Sequence, residues 1–260
     1  MNNYSIKYPI HTLIKAANIL DYFIKENRSV TLTELTEALN MYPSAVHRIL
    51  NTLIYLKYIE KIPNIGKYQL GLKSLELGMA KLYQLDVVKE AEPLITELSI
   101  KYNENVYLGT LLEDMVFYQA KKEALNTVKV DTHLGTRTYF NCTALGKVLV
   151  AFLPKDKREK IYQNIGFRKF TENTITNKSM FEKELINIRK KGFAIDNEEH
   201  ERDIQCIAAP IRDYSGKVIA AMSISGPSYR FRVEQQPQLI SDVIKYGYEI
   251  SKRLGYRNEL

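Results

Sequence analysis

Before residue 72, apolar positions recur three times at helical spacing and then switch to alternation. Over Ile10 to Glu26 the spacing predicts a helix with Leu13, Ala16, Ala17, Leu20 and Phe23 along one stripe. Thr31-Leu32-Thr33-Glu34 follows and reads as a capping box: the Thr31 side chain can accept from the Glu34 amide while the Glu34 carboxylate reaches back. The helix it opens would bury Leu32, Leu35, Ala38 and Leu39. Asn40-Met41-Tyr42 breaks the pattern, and Pro43 suits the first turn of a third helix, where its missing N–H is no loss. There Val46, Ile49, Leu50 and Leu53 point inward, which leaves Ser44, Ala45, His47, Arg48 and Asn51 on the other side. Tyr58 to Lys61 and Lys67 to Leu70 read as two short strands around the turn Pro63-Asn64-Ile65-Gly66. Three helices and a hairpin in this order predict a compact winged helix-turn-helix.

Beyond it, Leu72 to Leu85 reads as a connecting helix, with Leu75, Leu77, Met79 and Leu82 as its apolar positions. A helix over Val87 to Tyr102 opens a second domain. Strand-like segments near 105–112, 115–121 and 127–131 precede a helix at 143–152 and further helices near 156–163 and 178–191. Two more strands, 204–212 and 217–225, flank the turn Asp213-Tyr214-Ser215-Gly216, and an amphipathic helix spans about 237–254. Mixing of this kind predicts an α+β domain with one mainly antiparallel sheet. The expected organisation is a winged helix-turn-helix over 1–71, a linker helix over 72–86 and a larger domain over 87–260.

Composition narrows the classes. At 260 residues, 45% hydrophobic and 26% charged, the chain has the make-up of an ordinary globular protein. Lys and Arg total 37 against 30 Asp and Glu, a formal charge of +7 that favours a polyanionic partner. Cys142 and Cys206 are the two cysteines, far apart and outside any Cys-x-x-Cys pattern, which argues against a disulfide framework or a zinc finger and suits a reducing cytoplasm. The densest apolar run, Val148 to Leu153, is far short of a membrane span. The amphipathic stretch Ile10 to Ile24, interrupted by Lys15, Asn18 and Asp21, is no signal peptide. Cys142, Cys206, His133, His200 and Asp196 offer reactive groups, yet no spacing among them makes a nucleophile elbow, a His-x-x-x-His metal pair or a Gly-rich phosphate loop. No catalytic residues, metal or cofactor are therefore expected, and no membrane partner.

Two stretches carry candidate chemistry. In a helix-turn-helix the second helix of the motif enters the major groove. On its exposed side Ser44, Ala45, His47, Arg48 and Asn51 would face DNA, and Arg48 can either grip guanine bidentately or hold a phosphate. Thr31 and Thr33, opening the preceding helix, suit phosphate contacts, although Thr31 reads first as a structural cap. Lys67, near the wing tip, would reach the flanking backbone or minor groove. In the second domain, Asn141-Cys142-Thr143 precedes a helix whose first amides, at Ala144 and Leu145, are left open by helix geometry and form a seat for a carboxylate or phosphate. Ser223 and Ser225 alternate along one strand, so both hydroxyls share a face. Asp196 ends an apolar run and could accept from a hydroxyl, whereas Cys206 reads equally well as packing.

Several of these segments together resemble the IclR family of bacterial transcriptional regulators. They are Thr31-Leu-Thr-Glu-Leu, Val46-His-Arg-Ile-Leu50, Tyr68-Gln-Leu-Gly71, Cys142-Thr-Ala-Leu-Gly-Lys147, Gly192-Phe-Ala-Ile-Asp196, Cys206-Ile-Ala-Ala-Pro-Ile211 and Ser223-Ile-Ser-Gly-Pro227. The likeness runs in order from about residue 10 to 255. It implies a winged helix that dimerises on a roughly palindromic stretch of double-stranded DNA and a GAF-like effector domain, with dimers able to pair into tetramers. It also implies that Ala144, Leu145, Asp196, Cys206, Ser223 and Ser225 line an effector pocket, with Thr127, Val130 and Thr138 at its walls. Pro43, Ala45 and the pair Arg202-Asp203 depart from the family pattern. Such a pocket suits a small organic acid that also bears hydroxyls, such as a sugar acid. Two other readings stay open: a cytoplasmic small-molecule-binding protein or enzyme with a non-functional helix-turn-helix, and a non-specific architectural DNA binder.

Overall fold

The computed structural model describes residues 8–82, 86–127, 129–231 and 237–257, without the side chains of residues 79, 81 and 82. The chain divides into two compact units, Met1–Leu85 and Asp86–Leu260.

In the first unit α1 (His11–Glu26), β1 (Val30–Thr31), α2 (Leu32–Ala38) and α3 (Pro43–Tyr55) precede β2 (Ile59–Lys61), β3 (Lys67–Leu70) and α4 (Leu72–Leu82). The capping box forms as the sequence predicts: the Glu34 amide donates to Thr31 Oγ1 (3.2 Å) and the Thr31 amide to Glu34 Oε2 (2.6 Å). Pro43 occupies the first turn of α3, and Val46, Ile49, Leu50 and Leu53 are its buried residues. They pack with Phe23, Val30, Leu35 and Tyr68 into one core. The stripe of α1 is rotated from the expected one. Ile19 and Phe23 are fully buried with Ala16 and Leu20 beside them, an i, i+3, i+4, i+7 set, whereas Leu13 is 64% exposed and Ala17 is exposed. Ala38 of α2, expected inside, is also exposed.

Val30 and Thr31 add a strand the sequence reading did not anticipate, so the wing is a three-stranded sheet in the order β1-β3-β2. The start of α4 is tied to the chain leading into β2. Gly71 N donates to Tyr58 O (2.8 Å), Lys73 N to Lys57 O (3.1 Å) and Ser74 Oγ to Tyr58 O (2.8 Å). Those bonds place the connector's first turn with the first unit rather than in a free linker. Leu75 and Leu77 are exposed, and the expected continuation of this helix over 83–85 lies outside the described residues.

The second unit runs α5 (Val87–Tyr102), β4 (Asn105–Leu112), β5 (Met115–Lys122), β6 (Arg137–Thr138), α6 (Ala144–Ala151), α7 (Lys155–Asn164) and α8 (Lys178–Lys191). It ends with β7 (Ala194–Asn197), β8 (Ile204–Arg212), β9 (Val218–Pro227) and α9 (Pro237–Arg253). The strands form one six-stranded antiparallel sheet in the order β6-β5-β4-β9-β8-β7. Alternation along β8 assigns the layers. Ala208 belongs to the core shared with α6 and α8, while Ala209 meets α9, where a Cβ on Gly247 would stand 3.0 Å from the Ala209 Cβ. Hence α6 and α8 cover one face and α9 the other.

The strand expected at 127–131 does not form among its described residues; β6 pairs with β5 in its place. Side chains intercept that segment before a ladder can. Asn105 Oδ1 accepts from the Ala124 amide (2.6 Å), and Asn105 Nδ2 (2.5 Å) and Tyr107 Oη (2.6 Å) both donate to the Val130 carbonyl. The segment is therefore held over the sheet face rather than along its edge.

The tightest junction in this unit lies at the start of α6. A Cβ on Gly146 would fall 2.5 Å from Phe140 O and 2.6 Å from Phe140 Cα, both backbone atoms. Gly146→Ala should therefore cost about 1–3 kcal/mol of stability, the range of an overpacked core, as a lowered denaturant midpoint. An unchanged midpoint would mean that α6 does not seat so closely.

Candidate functional site

Two regions carry chemistry, one in each unit. In the first, α3 presents Ser44, His47, Arg48 and Asn51 as exposed residues and Ala45 as half-buried. No Asp or Glu occurs in the helix. Asn51 Nδ2 lies 3.4 Å from His47 Nδ1, so these two side chains brace each other one turn apart. The Arg48 guanidinium has no partner among the described residues and points to solvent. Thr33 is exposed at the head of α2. The Thr31 hydroxyl is already committed to Glu34, donating to Oε2 at 2.9 Å, so only its open backbone surroundings remain for a phosphate. Lys67 is half-buried at the start of β3, with its carbonyl accepting from Ile62 N (2.8 Å) to close the wing.

In the second unit a cavity of about 440 Å³ opens on the sheet face that α6 covers. Strand register builds it. Asn105, Ser225, Cys206 and Asp196 are directly paired neighbours across β4, β9, β8 and β7 and form one row. Tyr107, Ser223, Ala208 and Ala194 form the next row. The residue opposite Gly109 on β5 is Tyr118, which a bulge sets edge-on to Tyr107 at 5.6 Å between ring centroids.

From above, α6 points its N-terminus into the space. Thr143 caps it by accepting from the Gly146 amide (3.1 Å), and the amides of Ala144 and Leu145 have no acceptor among the described residues. Open amides at the positive end of a helix dipole favour an anion.

Of the residues expected in the pocket, Val130, Ala144, Leu145, Asp196, Cys206, Ser223 and Ser225 line this cavity. Two others stand elsewhere. Thr127 is exposed and outside the lining, because the segment holding it is pinned further along, at Val130. Thr138 is buried behind the wall, with its hydroxyl 3.3 Å from His200 Nε2, so it touches the site through His200.

Sequence reasoning missed Tyr107 and Tyr118, which come to the site only through long-range pairing, and Lys129; it named His133 and His200 only as reactive groups, and both line the cavity. It also passed over the charge beneath the site. Lys147, 1% exposed, sends its ammonium to Glu199 Oε1 (2.5 Å) and to the Ile195 carbonyl. The Glu199 amide in turn donates to Asp196 Oδ1 (2.8 Å), which fixes the turn after β7.

Burial governs the protonation of this region. It pushes the Cys142 thiol up to about 12 and the Cys206 thiol well above its ordinary range, so neither is a thiolate at neutral pH. Burial lowers His200 below the usual histidine value, which keeps that ring neutral. Both cysteines are unpaired. Among the described residues no group of three or more His, Cys, Asp and Glu is placed to hold a metal ion, and no helix is long and apolar enough to cross a membrane.

A winged helix whose exposed helix presents Arg48, followed by a sheet domain with a ligand-sized cavity, is the arrangement of a DNA-binding regulator. The chain belongs to the IclR family of bacterial transcriptional regulators. Residues 12–63 match the IclR helix-turn-helix domain, and residues 79–252 match the domain described as bacterial transcriptional regulator IclR C-terminal. The HTH-type transcriptional regulator KdgR of Escherichia coli is 33% identical over 249 residues, covering 96% of this chain and 94% of that protein. The HTH-type transcriptional repressor AllR of Salmonella paratyphi A is 29% identical over 242 residues, covering 92% of this chain and 88% of its own length. Among solved structures, Pseudomonas aeruginosa HmgR superposes with a TM-score of 0.85 at 24% identity over 96% of this chain and 100% of that one, a likeness of fold.

Proposed function

We propose that the chain is a sequence-specific repressor whose affinity for its operator is set by a small organic acid held in the sensor cavity. One observation carries the reading: two open amides at the head of α6 and the paired residues Ser225, Cys206 and Asp196 line the same cavity. The amides would seat the carboxylate, and Ser223, Ser225 and Asp196 would fix hydroxyl or carbonyl oxygens on the carbon skeleton, which packs on Val130. A hydroxylated acid of the sugar-acid type fits that set best. Repression is the sign carried in the name of the Salmonella AllR relative.

On DNA, α3 would lie in the major groove with Ser44, Ala45, His47, Arg48 and Asn51 toward the bases. Thr31, Thr33 and Lys67 would hold phosphates. Pairing of two copies, and of dimers into tetramers, would match a roughly palindromic operator. The acid and the operator would be coupled by about 1–3 kcal/mol, a reciprocal effect of roughly 5- to 150-fold. The two unpaired thiols and the DNA target fit a cytoplasmic protein.

The test is a thermal-shift screen of sugar acids, 2-oxo acids and aromatic acids on the full chain. A cognate acid at a hundred times its Kd adds about 2.7 kcal/mol, a rise of roughly 5–10 °C for a domain of this size. The same acid should then change operator affinity in a gel-shift titration. A bound acid that is turned over, or that leaves operator affinity untouched, contradicts the reading.

A further inference from the structure

Two carboxylates and one ammonium lie buried together at the sensor cavity, and of the three Asp196 reaches its lining. Asp196 is 1% exposed and lines the ligand space. The buried cation beside it, Lys147, is turned to Glu199 and to the Ile195 carbonyl. The second Glu199 oxygen, Oε2, is buried without a hydrogen-bond partner among the described residues. Several ionisable groups pack around Asp196. Tyr118 on β5, Cys142 ahead of α6 and Cys206 on β8 are held neutral by burial, and so is His200 beyond β7. Burial raises the Glu199 carboxyl, and the Lys147 ammonium bonded to it opposes that rise and holds the two as anion and cation. At the mouth, Lys129 is engaged by Glu123 (2.7 Å) and Asp131 by Lys121 (2.8 Å).

An acid seated on the Ala144 and Leu145 amides thus enters a space where an ionised Asp196 would bring the buried charge to one cation against three anions. We propose that the cavity takes up its acid ligand together with one proton, which resides on Asp196 and turns that carboxyl into a hydrogen-bond donor to a ligand oxygen. The balance is simple: carboxylate, proton and ligand anion become a neutral carboxylic acid bound to that anion. This rests on the reading of the cavity as an acid site and adds a pH dependence to it.

The energetics agree. Burial, then the charge of Glu199, pushes the Asp196 carboxyl up to about 7, with Lys147 opposing. The protonated site is thus well populated at neutral pH. The sign follows from linkage. Affinity is full below the pKa of the ligand-free site and falls as pH rises through it. One proton with a midpoint near 7 weakens binding about tenfold between pH 6 and pH 8.

The test uses the full chain and two readouts. In the ligand-free protein, carboxyl carbon NMR, with Asp196 assigned through D196N, should show a midpoint within about one unit of 7. An Asp196 carboxyl ionised throughout pH 5 to 8 overturns the proposal. Calorimetric titration with pyruvate, D-gluconate and 4-hydroxybenzoate, in buffers of different ionisation heat, should then show at least one acid binding about tenfold more weakly at pH 8 than at pH 6. That acid should bring about one proton with it at pH 8 and about a tenth of one at pH 6, and its affinity for D196N should vary less than twofold over the same range. Binding that is equal at both pH values and free of proton uptake overturns the proposal and leaves the acid site standing. Silence of all three acids at both pH values removes the acid site and the proposal together. Should D196N fail to fold, the proton count on the unmodified chain decides alone.

Discussion

Lys147→Met should cost the sensor domain about 3–5 kcal/mol, the penalty for removing one partner of a buried ion pair and leaving the other uncompensated. The side chain is 1% exposed, and methionine fills similar volume, so lost packing contributes little. What remains is Glu199 and Asp196, both buried, without their cation. For a domain of this size the loss corresponds to a fall in Tm of roughly 10 °C.

The deficit should depend on pH in a defined direction. Without the ammonium both carboxylates are pushed further upward, so they take up protons as pH falls. The gap from the unmodified chain then narrows toward pH 5 and widens toward pH 8. The double variant K147M/E199Q should recover more than half of the loss, because it removes the orphaned charge along with its partner. A Tm within a degree of the unmodified chain for Lys147→Met would mean that this pair is not buried as described.

Arg48→Ala should weaken specific operator binding by about 1–3 kcal/mol, roughly 5- to 150-fold, while leaving Tm unchanged. Arg48 is exposed on α3 and partnerless among the described residues, so its loss removes nothing from the core. Arg48→Lys separates two modes of contact. Lysine keeps the charge and lacks the planar fork, so a guanine-reading arginine is not rescued by it, whereas a phosphate-holding one is. Unchanged affinity and sequence preference for Arg48→Ala, by gel shift at fixed salt, would take Arg48 out of the interface.

What was legible in the sequence was local. The capping box at Thr31, Pro43 at the head of α3, its four buried residues and the turn 213–216 all rest on interactions within a few residues. Misreadings arose where a distant segment decides. The periodicity of α1 admits two neighbouring stripes, and only contact with the rest of the core selects Ile19 over Leu13 and Ala17. The residues around Val130 alternate like a strand, yet buried Asn105 and Tyr107 capture that segment with side-chain hydrogen bonds.

The cavity divides the same way. The α6 amides and the Ser223–Ser225 pair follow from local geometry, while the row from Asn105 to Asp196 exists only through strand order. Lys147 was hidden by a sound prior, since a lysine is almost never fully buried. Its four-residue spacing from Thr143, which places it one turn inside a wholly buried helix, was the available signal.

Genomic footprinting of the intact chain, with and without the acid that raises its Tm, tests the central claim most directly. The account predicts a small number of discrete protected sites with approximate two-fold symmetry, whose half-saturating protein concentration shifts at least about fivefold when the acid is added. Protection spread evenly along DNA, or discrete sites whose occupancy ignores every acid that binds, would contradict it.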